Sequence, residues 1–564
     1  MRSGLSSGPD AGLLLSITGI VLSLLTMLSS SWLSLVPLLL VGFSAGFQKP
    51  LLRIKGGFRL KFSLLGLILT VLLATAFILV SIPPIYLSWI SLFAYIFLLS
   101  LRDLKLTAAF IVAITLFIPA LFYLGGYITV SSYNIIRVAD PEELKGVFRS
   151  RESVVLVGHA MAEVLAKTRL TPNEKIVDWE EIAINGTPYW IFAVTPANTI
   201  AQNYVSKLIL VHVQTGEVLV KEVHMTVGSG LWWTNNVRWR TYLLTAQPIG
   251  NVYPFVLGEE PYFAACSNKP INLGLSIIPG DVYVYRSDGS LRVVQQFSED
   301  RSLPEDYDWD YLDGYIKDWL YFLAETNPVS FTIIPRGFLW IPASQHSQDL
   351  LNMTLLIPGK EGGTLRVYFG ISPANPNSIV SILIANNTGV YYYDVKRIGI
   401  YSPHYVQSLV QSKLPAISGG RLYAKYAQLV YIDGYLWIVP IYALTSVTTL
   451  WGVAVVNATS PQQMQIYQYS PSYGAYTDFL RAVFSIKLSS QGNMTCRIVE
   501  GIISQRMEFV YRGDTYLALT VGNSTYYATP DIGLRDFLKL LAVRTGDYIK
   551  LCVSDDRIVH VMEG

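Results

Sequence analysis

The chain has 564 residues, 42 Lys/Arg against 40 Asp/Glu, and a hydrophobic fraction of 51%. A formal net charge of +2, with its one dense basic stretch confined to residues 49–61, gives no electrostatic footprint for nucleic acid. Cys266, Cys496 and Cys552 form no CxxC, which argues against a cysteine zinc site, and no motif calls for a cofactor.

Five runs without Asp, Glu, Lys, Arg or His fill the first 125 positions: Gly12–Leu28, Trp32–Phe47, Phe62–Ile82, Ile85–Leu101 and Leu106–Leu124. About 435 residues follow with no further run of that length. The pattern predicts a membrane α-helical bundle of about five spans (12–28, 32–47, 62–82, 85–101 and 106–124) in a domain covering 1–128. Strand-rich α+β domains follow it. Ser29-Ser30-Ser31 makes the first turn so tight that the first two runs also read as a single crossing. Lys49, Arg53, Lys55, Arg59 and Lys61, together with Arg102 and Lys105, place their loops on the cytoplasmic side by the positive-inside tendency. The expected location is therefore the cell membrane, multi-pass, with a cytoplasmic N-terminus, the lipid bilayer as one partner, and an extracytoplasmic C-terminal region. No charged group lies within a run, so a proton or ion pathway is not expected and an anchoring role is.

Asp140-Pro141-Glu142-Glu143 is a helix start: a cap, a proline at the first position and acids in the first turn. A short helix is expected around Gly158–Lys167. Short branched or aromatic strands then alternate with turns such as Gln214-Thr215-Gly216-Glu217 and Ser287-Asp288-Gly289, predicting an antiparallel meander. Leu312, Tyr315, Ile316, Trp319, Leu320 and Leu323 recur at helical spacing, so Leu303–Ala324 reads as a helix with Glu305, Asp306, Asp308 and Asp310 in its first turns. That helix divides a first extracytoplasmic domain, 129–328, from a second, 329–564. The second returns to strands, with helices expected at Pro403–Lys413 and Gly533–Val543. Ile184-Asn185-Gly186 followed by Tyr189-Trp190-Ile191 resembles Ile432-Asp433-Gly434 followed by Leu436-Trp437-Ile438, so a duplicated α+β unit is one reading and convergent hairpin chemistry the other.

Asn352-Met353, Gly363-Thr364-Leu365-Arg366-Val367-Tyr368, the short helix around His404–Ser412, and Asp433-Gly434-Tyr435-Leu436-Trp437-Ile438-Val439-Pro440-Ile441 carry a resemblance. Over residues 352–456 the chain resembles part of a large uncharacterised prokaryotic multi-pass membrane-protein family with a long extracytoplasmic region. That likeness implies the layout of spans plus outer domain and no assigned reaction. Pro188–Val220 looks like the hairpin of PepSY-type modules.

Candidate chemistry is sparse. Glu305–Asp310 alternates acids as a calcium loop does, but Tyr311 and Lys317 stand where glycine and the bidentate acid belong, so a charged helix start is the reading and no metal site is assigned. His159, His212, His224, His346, His404 and His560 are scattered, with no HExxH and no GxSxG. Trp232, Trp233, Arg238 and Trp239 make the richest aromatic-basic patch and are the candidate ligand or partner surface. Asn185, Asn352, Asn386, Asn457, Asn493 and Asn523 head N-x-Thr sequons and are candidate N-glycosylation sites. Cys496 and Cys552 are candidates for a disulfide, with reduced buried thiols as the other reading. The sequence as a whole points to a non-catalytic envelope component whose outer domains bind a protein, peptide or glycan partner. The alternative is a membrane-tethered extracytoplasmic hydrolase acting on peptides or glycans.

Overall fold

The computed structural model describes residues 11–29, 35–45, 84–100, 104–149, 154–322, 349–359, 363–445, 447–470, 475–490, 497–528 and 539–561, apart from isolated positions within them, together with Leu33 and a few residues of 68–75.

The N-terminal part folds into helices at Ala11–Ser29, Leu35–Ala45, Pro84–Ser100 and Leu104–Ser132. They associate through small and polar contacts. Tyr95 packs against Gly19, where any side chain would collide with the ring. Its hydroxyl donates to Pro37 O at 2.9 Å, and the Thr26 and Ser88 hydroxyls meet at 2.9 Å.

Among the described residues no helix is long and apolar enough to cross a membrane. This overturns the expected five-span bundle, and with it the multi-pass cell-membrane location, the cytoplasmic N-terminus and the extracytoplasmic C-terminal region. For two of the helices length is a physical reason. Leu35–Ala45 and Pro84–Ser100 have 11 and 17 residues. At about 1.5 Å per residue they reach roughly 17 and 26 Å, short of a hydrocarbon core of about 30 Å. Most of 62–82 falls outside the described residues. The other reason is that helix ends are used by the β-rich part. Ile85 is buried against Gly274, and Val130 is buried with Tyr315 and Leu320. The Tyr315 hydroxyl donates to Tyr133 O at 2.5 Å.

The β-rich part is built from antiparallel meanders packed face to face. After a short strand β1 (Ile136–Val138) come β2 (Glu174–Ile184), β3 (Thr187–Pro196), β4 (Val205–His212) and β5 (Val218–Met225), paired in that order. A second sheet follows: β6 (Ile249–Leu257), β7 (Glu260–Ile271), β8 (Ser276–Arg286) and β9 (Leu291–Gln295). Ile182, Ile191 and Leu208 of the first sheet share a buried core with Tyr253, Phe263 and Val282 of the second, forming one sandwich. The opposite face of β3 and β4, with Trp190, Phe192 and Ile209, is covered by the helix His159–Lys167.

A second sandwich repeats the plan. Its first sheet holds β10 (Asp349–Pro358), β11 (Thr364–Ser372), β12 (Asn375–Asn386) and β13 (Gly389–Asp394), with β1 added in parallel to β13. The facing sheet holds β14 (Arg421–Ala424), β15 (Gln428–Tyr431), β16 (Tyr435–Leu444), β17 (Thr448–Asn457) and β18 (Met464–Gln468). Pro440 in the central strand β16 has no N–H to give. The neighbouring strand breaks into β14 and β15 close to it, at residues 425–427. The helix Pro403–Lys413 has the bounds expected from sequence, capped by Ser402. The two look-alike hairpins share one contact. Trp190 on β3 donates its indole N–H to Val157 O at 2.7 Å, just before one helix cap, and Trp437 on β16 donates to Tyr401 O at 3.0 Å, just before the other.

The sandwiches are stitched by residues 154–157. Val155 and Val157 enter the cluster on the helix-covered face of β3 and β4, while Val154 and Leu156 enter the cluster on the face of β15–β17 turned away from β10–β13. The Gln428 side chain pairs with the Val155 peptide from both ends, accepting at 2.6 Å and donating at 3.1 Å. A closed barrel ends the chain: β19 (Arg497–Tyr511), β20 (Asp514–Val521), β21 (Ser524–Ala528), β22 (Tyr548–Ser554) and β23 (Arg557–Val561). Cys552 on β22 is disulfide-bonded and Cys266 is a buried free thiol; Cys496 lies outside the described residues. Most of the expected helix 533–543 also lies outside them.

Candidate functional site

Strand β2 has two chemically different faces because successive side chains alternate. Glu180 points to a buried charge cluster that no local pattern announces. Arg366 of β11 donates from Nε to Glu305 at 2.8 Å and from Nη2 to Glu180 at 3.4 Å, with its guanidinium 3.9 Å from the Trp309 ring centre. Arg366 is 7% exposed and Glu305 0%. Burial raises the Glu305 carboxyl to about 7, with Arg366 acting in the opposite direction. Beside it Thr364 accepts from Ala183 N at 2.7 Å, and the Thr364 amide donates to Pro304 O at 2.8 Å, so β2, the 304–308 segment and β11 converge on one polar joint.

The acid run is therefore not the charged opening of a helix. The helix starts at Trp309, and Glu305, Asp306 and Asp308 are all fully buried ahead of it. Asp308 accepts from the Asp310 and Tyr311 amides at 3.0 and 3.2 Å, as a cap does, and from Asn251 N at 3.1 Å and the Asn268 side chain. Asp306 accepts from Ser298 N at 3.0 Å and Asp300 N at 3.2 Å, and burial raises it to about 6. The Tyr253 hydroxyl donates to Glu305 O. No group of three His, Cys, Asp or Glu that could hold a metal occurs among the described residues.

On its other face β2 carries Trp179 and Glu181. Trp179 stacks on His159 at 3.8 Å between ring centres, with Trp190 at 5.4 Å from the imidazole, and burial lowers the His159 pKa. Glu181 is part-exposed as a residue, but its Oε1 is shielded and has no hydrogen-bond partner among the described residues. Burial first, and Glu180 next to it, raise this carboxyl from an ordinary 4.5 to about 8. The native state thus holds the proton more tightly than the unfolded chain. The associated stability is fully present below pH 4.5 and is lost as pH rises through about 8. Glu181→Gln, which cannot ionise, is expected to be more stable than wild type at pH 8.5 by on the order of 2 kcal/mol and to match it near pH 5. Urea unfolding at the two pH values checks this, and the same difference at both would contradict it.

The aromatic patch read from sequence is present, and its members divide. Trp232 and Trp233 are 58% and 60% exposed. Trp239 is part-buried with its ring 6.3 Å from that of Trp233, and an Arg238 N–H donates to Ile249 O, turning that charge toward β6. Asn203 holds the Trp232 peptide from both ends, accepting from its N–H at 2.7 Å and donating to its carbonyl at 3.0 Å. Asn235 in turn donates to Asn203 O at 3.1 Å, and Asn236 caps the helix Val237–Thr245 through Trp239 N. Trp233 sits at φ 56°, a region where a bulky side chain is strained.

The first sandwich also bears a groove of about 340 Å³ over one face of β6–β8. Its floor extends an aromatic row. Trp309 and Tyr253 lie 5.2 Å apart, Tyr253 and Phe255 5.8 Å, and Phe255 and Tyr262 are stacked at 5.2 Å. Arg366 covers the buried end of the row and Arg286, across the register from Tyr262, the open end.

The other candidates have structural roles or fall outside view. His212 Nδ1 accepts from the Gln214 and Thr215 amides and shapes a turn, while His224 stacks on Tyr204 at 4.2 Å. His404 sits in the first turn of the helix Pro403–Lys413, and His346 lies outside the described residues. Among the sequons, Asn386 and Asn457 spend their side-chain oxygens on local turns through Thr388 and Thr459. Asn185 is exposed at a hairpin tip with φ 50°, Asn493 and Asn523 lie outside the described residues, and nothing is described of the Asn352 side chain.

No family model matches the chain, and no curated protein matches it. Two solved structures are similar to 68% of the chain and 90% of their own: one described as a complex of BT0996 and RGII, at 6% identity and a TM-score of 0.17, and one described as a glycoside hydrolase, at 6% identity and a TM-score of 0.18. Neither likeness carries fold or activity at such scores.

Proposed function

We propose that this chain is a non-catalytic binding protein whose first sandwich holds a glycan on the Trp232–Trp233 platform. The observation that supports this reading is the pair of adjacent indoles, more than half exposed, clamped by Asn203 and kept outward at a strained turn. Exposed aromatic faces suit the C–H faces of a sugar ring, and a rigid two-angle side chain loses little freedom on contact. The hydrolase alternative needs an open pair of acids or a nucleophile beside a histidine. Glu305 and Glu180 instead turn to the same buried arginine, which commits both to structure.

The test is retention of the full-length chain in native gels containing a β-glucan, a mannan or a pectin. Trp232→Ala/Trp233→Ala is expected to lower affinity for the retaining polysaccharide at least tenfold with little change in the unfolding midpoint, since both side chains are more than half exposed. Equal retention of wild type and variant on every polysaccharide would contradict the proposal.

A further inference from the structure

We infer that the groove over β6–β8 is a second binding site, selective for a hydroxylated ring bearing one carboxylate, that is, a sugar acid. The inference rests on the glycan reading above and names the chemistry that a separate surface would recognise.

Four features lead to it. The groove, at about 340 Å³, is within the size range of small-molecule sites. Its floor is aromatic: Tyr262 lies over Phe255 at 5.2 Å with only 17° between the rings, which offers a flat face for a saturated ring. Its two arginines differ. Arg292 is committed to Asp300 and to Ser302, the latter at 2.9 Å, and it fastens Ser302 along one wall. Arg286 is exposed, lies beside the Tyr262 hydroxyl and makes no ion pair among the described residues. A guanidinium so placed matches a carboxylate with two parallel N–H donors. Finally, Glu260 accepts from the hydroxyl of Tyr262, which lines the groove, at 2.6 Å. An anion of high charge would be repelled there, whereas a ligand with hydroxyl donors next to its single carboxylate satisfies both Arg286 and Glu260.

Isothermal titration of the full-length chain with glucuronate, and with glucose as the neutral control, tests the assignment. Wild type is expected to bind glucuronate at least tenfold more tightly than glucose. Arg286→Met is expected to remove that preference and Arg286→Lys to restore part of it, because a point charge replaces the fork. Glucuronate binding unchanged in Arg286→Met, glucose binding as tight as glucuronate, or no glucuronate binding by wild type would each overturn the inference. The two readings fail separately: the Trp232/Trp233 variant bears on retention by the platform, and the Arg286 variants bear on the preference for a carboxylate.

Discussion

Arg366→Ala is expected to cost about 4 kcal/mol of folding stability, among the largest losses any single change in this chain would produce. The cost does not come from the net worth of the ion pairs, since a buried salt bridge gains little over an apolar replacement. It comes from the partners left behind. Glu305, 0% exposed, would lose the cation 2.8 Å away, and Glu180 would lose its own. Trp309 would also lose the guanidinium over its ring. Arg366→Ala combined with Glu305→Gln removes the stranded carboxyl, which at pH 7 would otherwise have to take up a proton, and is expected to recover part of the loss. Urea unfolding of wild type, both single variants and the double variant at pH 7 measures this coupling. Strictly additive effects would show that the cluster is not one unit.

Trp437→Ala is the second large effect, expected at about 3–5 kcal/mol. The side chain is fully buried in the core between the two sheets of the second sandwich, edge-on to Phe369 at 5.7 Å, and its indole satisfies Tyr401 O. Truncation leaves a cavity and takes the indole donor away from the Tyr401 carbonyl. Trp437→Phe fills most of the space and is expected to cost less than half as much. Thermal unfolding of the two variants tests the order, and equal losses would place the whole effect in the hydrogen bond.

The hairpins were legible in the sequence for a local reason. Asn185-Gly186 fills a two-residue turn and Asp433-Gly434 ends a three-residue one, and both pairs adopt positive φ, so the residue pair announces the turn and the flanking Trp-bearing strands follow. The helix Pro403–Lys413 was equally readable from Ser402-Pro403 at its start. The Trp232–Trp233 patch was visible as a cluster of letters, but which members face solvent depends on Asn203, about thirty positions away in the chain.

Two misreadings share one cause, the use of local composition to settle a question of long-range packing. Glu305, Asp306 and Asp308 looked like solvated acids at a helix start. Their partners Arg366, Asn251, Asn268 and Ser298 come from other strands and a loop, and only those partners make burial tolerable. The N-terminal apolar runs looked like membrane spans, while Ile85 and Val130 are buried within the fold and no described helix meets the length and apolarity a crossing needs. Arg366 itself sits in an alternating strand whose sequence is ordinary, so the residue that ties β2 to β11 had no signal of its own.

The most direct test of the binding account uses fluorine NMR of the full-length chain carrying 5-fluorotryptophan at its 12 tryptophans, titrated with a fragment of the retaining polysaccharide. Signals assigned by Trp→Phe exchange at 232 and 233 are expected to shift or broaden, while those of the buried Trp190 and Trp437 stay in place. Movement elsewhere with the 232 and 233 signals unchanged would contradict the platform as the glycan site.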